Sequence, residues 1–119
     1  MAKLLVHCTH GKDDPERATL AFVVGNVAAT ADQEAVVLLT IDGVWLATGG
    51  YADPIHHEGF QPLAEVMRSF VANGGQIWAC GACAKPRGIT EQDMIEGAHI
   101  VTAANAVEYL ASGAASLDF

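Results

Sequence analysis

Short runs of β-forming residues alternate with longer helical ones along the whole chain, and that alternation restricts the fold more than any single motif. Leu4, Leu5, Val6 and Cys8 make the first run. Glu34 to Ile41 is continuous and rich in β-branched residues, the pattern of a strand covered on both faces. Gln76 to Ala79 and His99 to Val101 are two more, and Ser116 to Phe119 offers a fifth. Helical stretches separate them. Right-handed crossovers between such strands place helices on both sides of a parallel sheet. The expectation is an α/β fold: one domain over residues 1–119, a three-layer sandwich with a mainly parallel sheet of about five strands and helices on both faces. A chain of 119 residues fits one domain and leaves no room for two.

The helix boundaries carry their own chemistry. Asp14 stands before Pro15 and Glu16, which combines a capping carboxylate, a proline at the first helical position and an acid at the positive end of the dipole. This helix is expected to run to about Ala31. It is apolar on two sides, as in a deeply buried helix or one shared with another subunit. Val44 to Thr48 suggests a short helical turn, and residues 51–59 a loop. Pro62 opens an amphipathic helix with Leu63, Val66, Met67, Phe70 and Val71 on one face, ended by Asn73-Gly74-Gly75. Thr90 and Asp93 have the spacing of a capping box, predicting a short helix that ends near Gly97. Ala103 to Ser112 is the last helix.

Composition excludes some partners. Fourteen acids against six bases give a net charge of −8, which repels phosphate backbones, so no nucleic-acid binding is expected. No basic cluster or long apolar stretch points to a membrane. The first ten residues do not read as a secretory signal, and three cysteines make no disulfide framework. The expected location is cytoplasmic, with the thiols reduced.

In open parallel sheets the ligand crevice lies beyond the carboxyl ends of the strands. That rule gathers Cys8 and His10 after the first strand, Asp42 and Trp45 after the second, and Cys80 and Cys83 after the third. Cys80 and Cys83 form a CxxC pair with Lys85 and Arg87 close behind. Nearby cations favour a thiolate, and the thiolate is the nucleophile. Cys80 is therefore the candidate catalytic thiol, set against a buried cysteine acting as a small apolar residue. Cys83 is a resolving thiol or a core residue. Cys8 is a rim thiol or, as free cysteines usually are, a packed one. His10 suits a polar rim role, whereas His7 points to the opposite sheet face. Lys85 and Arg87 either support the thiolate or are ordinary surface charges. Arg87 has the fork geometry to bridge two groups. Asp42 orients its loop through an Asp-Gly turn, while Trp45 and Tyr51 line a pocket or pack a contact. His56 and His57 read as a solvated loop, and no metal site is expected. Pro86 makes any helix that starts at Cys80 short or distorted.

Four segments together resemble the DsrE/DsrF-like (YchN-like) proteins: THGKDDPERATLAF, IDGVWLATGG, GGQIWACGACAKPRGI and the closing SLDF. The resemblance covers nearly the whole chain and is most specific in CGACAKPRGI. It implies an α/β fold that associates as homotrimers or homohexamers, and a role in handing sulfane sulfur between donor and acceptor proteins. It puts the sulfur-accepting cysteine at Cys80, with Cys83 matching a second cysteine found only in some branches. No cofactor is needed, because persulfide chemistry is thiol exchange. Two alternatives remain open: a CxxC dithiol redox protein, and an oligomeric binding protein without chemistry.

Overall fold

The computed structural model describes residues 2–119. Five strands form one sheet: β1 (Lys3–Cys8), β2 (Glu34–Leu39), β3 (Gln76–Cys80), β4 (Ala98–Val101) and β5 (Ala115–Asp118). Their order is β4-β3-β2-β1-β5, and every pairing is parallel. Four α-helical segments complete the fold: α1 (Pro15–Thr30), α2 (Leu63–Ala72), the single turn α3 (Gly81–Ala84) and α4 (Ala103–Ala111). The parallel α/β sandwich expected from the alternation of runs is the one that forms.

Strand parity assigns the two faces, because successive side chains point to opposite sides. Val6 and Cys8 of β1, Ala35, Val37 and Leu39 of β2, and Ile77 and Ala79 of β3 face α1 and α2 in the main core. Phe22 of α1 and Phe70 of α2 meet there edge-on, with ring centroids 5.9 Å apart. Asp14 caps α1 by accepting the Arg17 backbone N–H at 3.0 Å. The apolar breadth of α1 is used on two sides: its small residues pack on the sheet and on α2, while Val27 stays exposed.

The second face is covered more thinly. Among the described residues α4 is the helix that crosses it, and no residue of α4 is buried. Tyr109 of α4 meets Trp78 of β3 edge-on at 5.4 Å, and the Lys3 ammonium lies 5.8 Å from the Tyr109 ring centroid. The Tyr109 hydroxyl is out of water and meets no acceptor at hydrogen-bonding geometry. Burial first, and then the neighbouring Glu34 carboxylate, oppose its ionisation.

Two elements depart from expectation. The second strand ends at Leu39, because Ile41 adopts a left-handed conformation (φ 55°) and starts a 3₁₀ segment, Ile41–Ala47. The capping box of Thr90 and Asp93 forms, but it starts a 3₁₀ turn, Glu91–Asp93, instead of a helix reaching Gly97. Tertiary pairing outcompetes helix growth there. Met94 bridges Thr48, and the Ile95 N–H donates to the Ala47 carbonyl at 2.9 Å.

Candidate functional site

The carboxyl ends of β1, β2 and β3 lie side by side, and the chain leaves each of them differently. After β2, Thr40 remains extended and Ile41 turns left-handed. A β-branched residue in that region is strained. The turn sends the 3₁₀ segment across the end of β1, where a Cβ on Gly43 would fall 2.5 Å from the Cys8 carbonyl oxygen. Only glycine permits that approach. Asp42 is thereby held over the rim.

After β3, Cys80 ends the strand and caps α3. The helix lasts four residues, continues as a 3₁₀ turn, Lys85–Arg87, around Pro86, and stops at Gly88 with φ 72°. The short, altered helix expected from Pro86 is what forms. Arg87 folds back: Nη1 donates to the Cys83 carbonyl at 3.0 Å, while Nε and Nη2 donate to Asp42 Oδ1 at 3.3 and 3.1 Å. Asp42 and Arg87 are thus joined, tying the two rim segments together. Lys85 is exposed.

Cys80 and Cys83 are both half-buried free thiols, one at the start and one inside the same turn. The Cys80 sulfur makes no hydrogen bond among the described residues. Cys8 differs. It is fully buried on the core face, its thiol donates to the His10 carbonyl at 3.3 Å, and burial pushes its pKa up to about 11. Parity puts Cys8 and Cys80 on opposite faces of the sheet, so the structure does not bring them together.

His10 lies in the loop after β1. Its Nδ1 is 2.7 Å from Asp13 Oδ2, and that bond is the main reason the Asp13 carboxyl sits below its usual range. The loop is latched from across the rim by Tyr51, whose hydroxyl accepts the Lys12 N–H at 2.9 Å and whose ring stacks on Trp45 at 6.1 Å. Trp45 therefore supports the loop that carries His10. His56 pairs with the Phe60 carbonyl and His57 with Glu16, so these adjacent histidines aim at different partners. No group of three or more His, Cys, Asp or Glu side chains is arranged to hold a metal ion among the described residues.

Sequence reasoning overlooked one hydrogen-bonded chain on the second face. His7 Nδ1 is 3.0 Å from Asp118 Oδ1, and His7 Nε2 is 2.7 Å from Thr40 Oγ1. Parity had already turned His7 to that face. The pairing of β5 with β1, which supplies Asp118, had no signal in the sequence.

A single-layer parallel sheet with thiols at its carboxyl edge defines a class of small α/β proteins, and the comparisons name the family. The DsrE/DsrF-like family model matches residues 2–119, and the chain belongs to that family. It is 31% identical over 108 residues to the uncharacterized protein MJ0760 of Methanocaldococcus jannaschii, covering 91% of this chain and 39% of that protein. The chain thus spans about two-fifths of the length of that relative. It is 30% identical over 95 residues to the uncharacterized protein MK0008 of Methanopyrus kandleri, covering 80% of this chain and 75% of that protein. Among solved structures, the YchN protein of E. coli superposes with a TM-score of 0.82 at 18% identity over the full length of both chains. A protein of unknown function, MTH1491 from Methanobacterium thermoautotrophicum, superposes at 0.77 and 18%, again over both chains in full. At that identity the likeness establishes the fold. No helix among the described residues is long and apolar enough to cross a membrane.

Proposed function

We propose that this protein carries sulfane sulfur as a persulfide on Cys80, taking it from a donor protein and giving it to an acceptor within the reducing cytoplasm. The observation that carries this reading is the position of the Cys80 sulfur: half-buried, free of hydrogen bonds, and at the carboxyl end of an interior strand, one in from the edge of the sheet. A thiol so placed can be approached by another protein's sulfur, and it has no competing partner of its own. The Cys80 thiolate attacks the outer sulfur of a donor persulfide. A new S–S bond forms on Cys80, the donor's S–S bond breaks, and the donor leaves as a thiolate that takes up a proton. No net oxidation occurs and no cofactor is required.

The exposed apolar residues of α4 and β5, Val107, Leu110 and Leu117, support assembly into a homotrimer or homohexamer. Val107 and Leu110 lie on the thinly covered α4 side, while Leu117, the register partner of Val6, belongs to the opposite face of the sheet, so exposed apolar side chains on both sides are available for protein contacts.

A dithiol reading has one observation in its favour: Cys80 and Cys83 lie three residues apart across a helical turn, a spacing compatible with a disulfide. The two are separated by mass spectrometry after exposure to a low-molecular-weight persulfide. A carrier gains one sulfur atom, and Cys80→Ser removes the gain while Cys8→Ser keeps it. A redox dithiol loses two hydrogens instead and gains no sulfur.

A further inference from the structure

The hydrogen-bonded chain on the second face ends beside the candidate thiol. Cys8, Leu39 and Ala79 occupy one level of the sheet, since Cys8 pairs with Leu39 and Leu39 with Ala79. One residue further on, Thr40 and Cys80 follow on neighbouring strands. The Thr40 N–H still donates to the Cys8 carbonyl at 3.1 Å, so the ladder holds at that level. Parity turns Thr40, Cys80 and His7 to the same face. Adjacent strands are about 4.8 Å apart, so Thr40 stands between His7 and Cys80.

We propose that Asp118, His7 and Thr40 form a proton relay that serves Cys80, in which Thr40 meets the thiol directly and His7 and Asp118 are positioning residues that act through it. The inference rests on the reading of Cys80 as the sulfur-bearing thiol. Asp118, a carboxylate and so an acceptor, takes the Nδ1–H of a neutral His7, and this fixes the tautomer. His7 Nε2 then accepts the Thr40 hydroxyl proton at 2.7 Å, leaving the hydroxyl oxygen free to accept from a thiol. The relay requires a Cys80 rotamer that turns the sulfur toward the Thr40 hydroxyl on the neighbouring strand. The Cys80 S–H bond breaks as Thr40 takes that proton and passes its own to His7 Nε2. The products are a Cys80 thiolate, an unchanged Thr40 hydroxyl and an imidazolium ion paired with Asp118. When the persulfide later gives its outer sulfur to an acceptor thiolate, the Cys80 thiolate released is reprotonated along the same path. No oxidant or reductant enters.

Among the described residues, His7 is hydrogen-bonded to Asp118 and Thr40, and His99, further along this face, is paired with Glu91. From β5 the ionisable group facing it is Asp118, its register partner. From β2 it is faced by Thr40, and Glu34 lies at the far end of that strand opposite Lys3. On β3, Gln76, Trp78 and Cys80 point to this face, and none carries a fixed charge. On the 3₁₀ segment Asp42 is held by Arg87. On α4, Glu108 lies beside Lys3 and Trp78 at the opposite end of the sheet.

The test is the rate of Cys80 alkylation by iodoacetamide across about pH 5–8, the range in which histidines titrate, read by tandem mass spectrometry so that Cys80 and Cys83 are resolved. The relay predicts that His7→Gln, Asp118→Asn and Thr40→Val slow alkylation near neutral pH by roughly ten-fold or more and flatten its pH profile, while Thr40→Ser restores both. Asp118 is exposed on an edge strand, so Asp118→Asn carries the test if a His7 or Thr40 variant fails to fold. Wild-type rates and an unchanged profile in a folded Asp118→Asn protein overturn the relay. Persulfide loading of the same variants separates the two ideas. A carrier without a relay loads at the wild-type rate in every variant. A relay without a carrier alters alkylation while no variant, nor the wild type, gains sulfur.

Discussion

Arg87 and Asp42 join the two segments that flank the candidate thiol, with Nε and Nη2 of the guanidinium both donating to one carboxylate oxygen, at 3.3 and 3.1 Å. The pair is partly exposed, with side chains 26% and 51% accessible. Its own contribution is therefore small, of the order of 0.5 kcal/mol. Arg87 also holds the Cys83 carbonyl at 3.0 Å. Asp42→Ala is expected to lower stability by no more than about 1 kcal/mol, and Arg87→Ala by about 1–2 kcal/mol because the carbonyl loses its donor as well. Denaturant unfolding of both variants and of the double variant checks this. An Asp42→Ala variant that costs more than Arg87→Ala contradicts it.

Gly43 fixes how closely the 3₁₀ segment crosses the end of β1. A methyl group there meets the Cys8 carbonyl, which belongs to the backbone of a central strand and has no room to yield. Gly43→Ala is expected to cost roughly 2 kcal/mol or more, within the range for overpacking. It should also raise the alkylation rate of Cys83 as the Asp42–Arg87 bridge loosens. Thermal unfolding and thiol mapping report both effects, and a fully stable Gly43→Ala protein contradicts the close approach.

Ile41 holds a left-handed conformation while half its surface faces water. A left-handed non-glycine residue costs about 1–2 kcal/mol, and glycine gives back part of that through its freer unfolded chain. Ile41→Gly should therefore leave stability unchanged or raise it by about 1 kcal/mol. A clear loss of stability would show that the isoleucine side chain makes a contact outweighing its strain.

Cys8 provides a pH signature. Its folded pKa of about 11 lies above the unfolded value of 9.0, so the folded state holds the thiol proton more tightly. The associated stability is complete below pH 9 and declines as the pH rises toward about 11. Cys8→Ala should flatten that alkaline decline. In the native protein Cys8 should also remain unlabelled near neutral pH while Cys80 and Cys83 react. Labelling of Cys8 at the rate of Cys83 contradicts its burial.

Asp14 sets the acid side. The backbone N–H of Arg17, helped by its guanidinium, holds the Asp14 carboxyl below the usual range. Stability from this cap is present above the unfolded carboxylate pKa and is lost as the pH falls through the lower folded one. Asp14→Ala should cost about 1 kcal/mol near neutral pH, and less as the medium is acidified. A cost that is constant down to pH 2 contradicts the assignment.

Legibility in the sequence followed the range of the interactions. Asp14, Pro15 and Glu16 state a helix start in three consecutive residues, and α1 begins there. Pro86 likewise announces its effect locally. Ile41 misleads, because a β-branched residue after a strand reads as more strand, whereas the packing of Gly43 on Cys8 forces it into a turn. The Thr90 capping box was legible, but not the pairing of Met94 with Thr48 that stops helix growth. The Asp42–Arg87 bridge and the His7–Asp118 bond span 45 and 111 residues, and only the folded sheet brings their ends together. The rule that gathers strand ends on one rim found the thiols but could not say which way each pointed. Strand parity settles that, separating Cys8 from Cys80.

The central claim is that Cys80 accepts and releases sulfur. The direct measurement is tandem mass spectrometry of the native assembly, first exposed to a persulfide donor and then to an acceptor thiol. The account predicts one additional sulfur atom located on Cys80, present after the first step and gone after the second. An additional sulfur found only on Cys83, or none on any cysteine under conditions that persulfidate a free thiol, contradicts it.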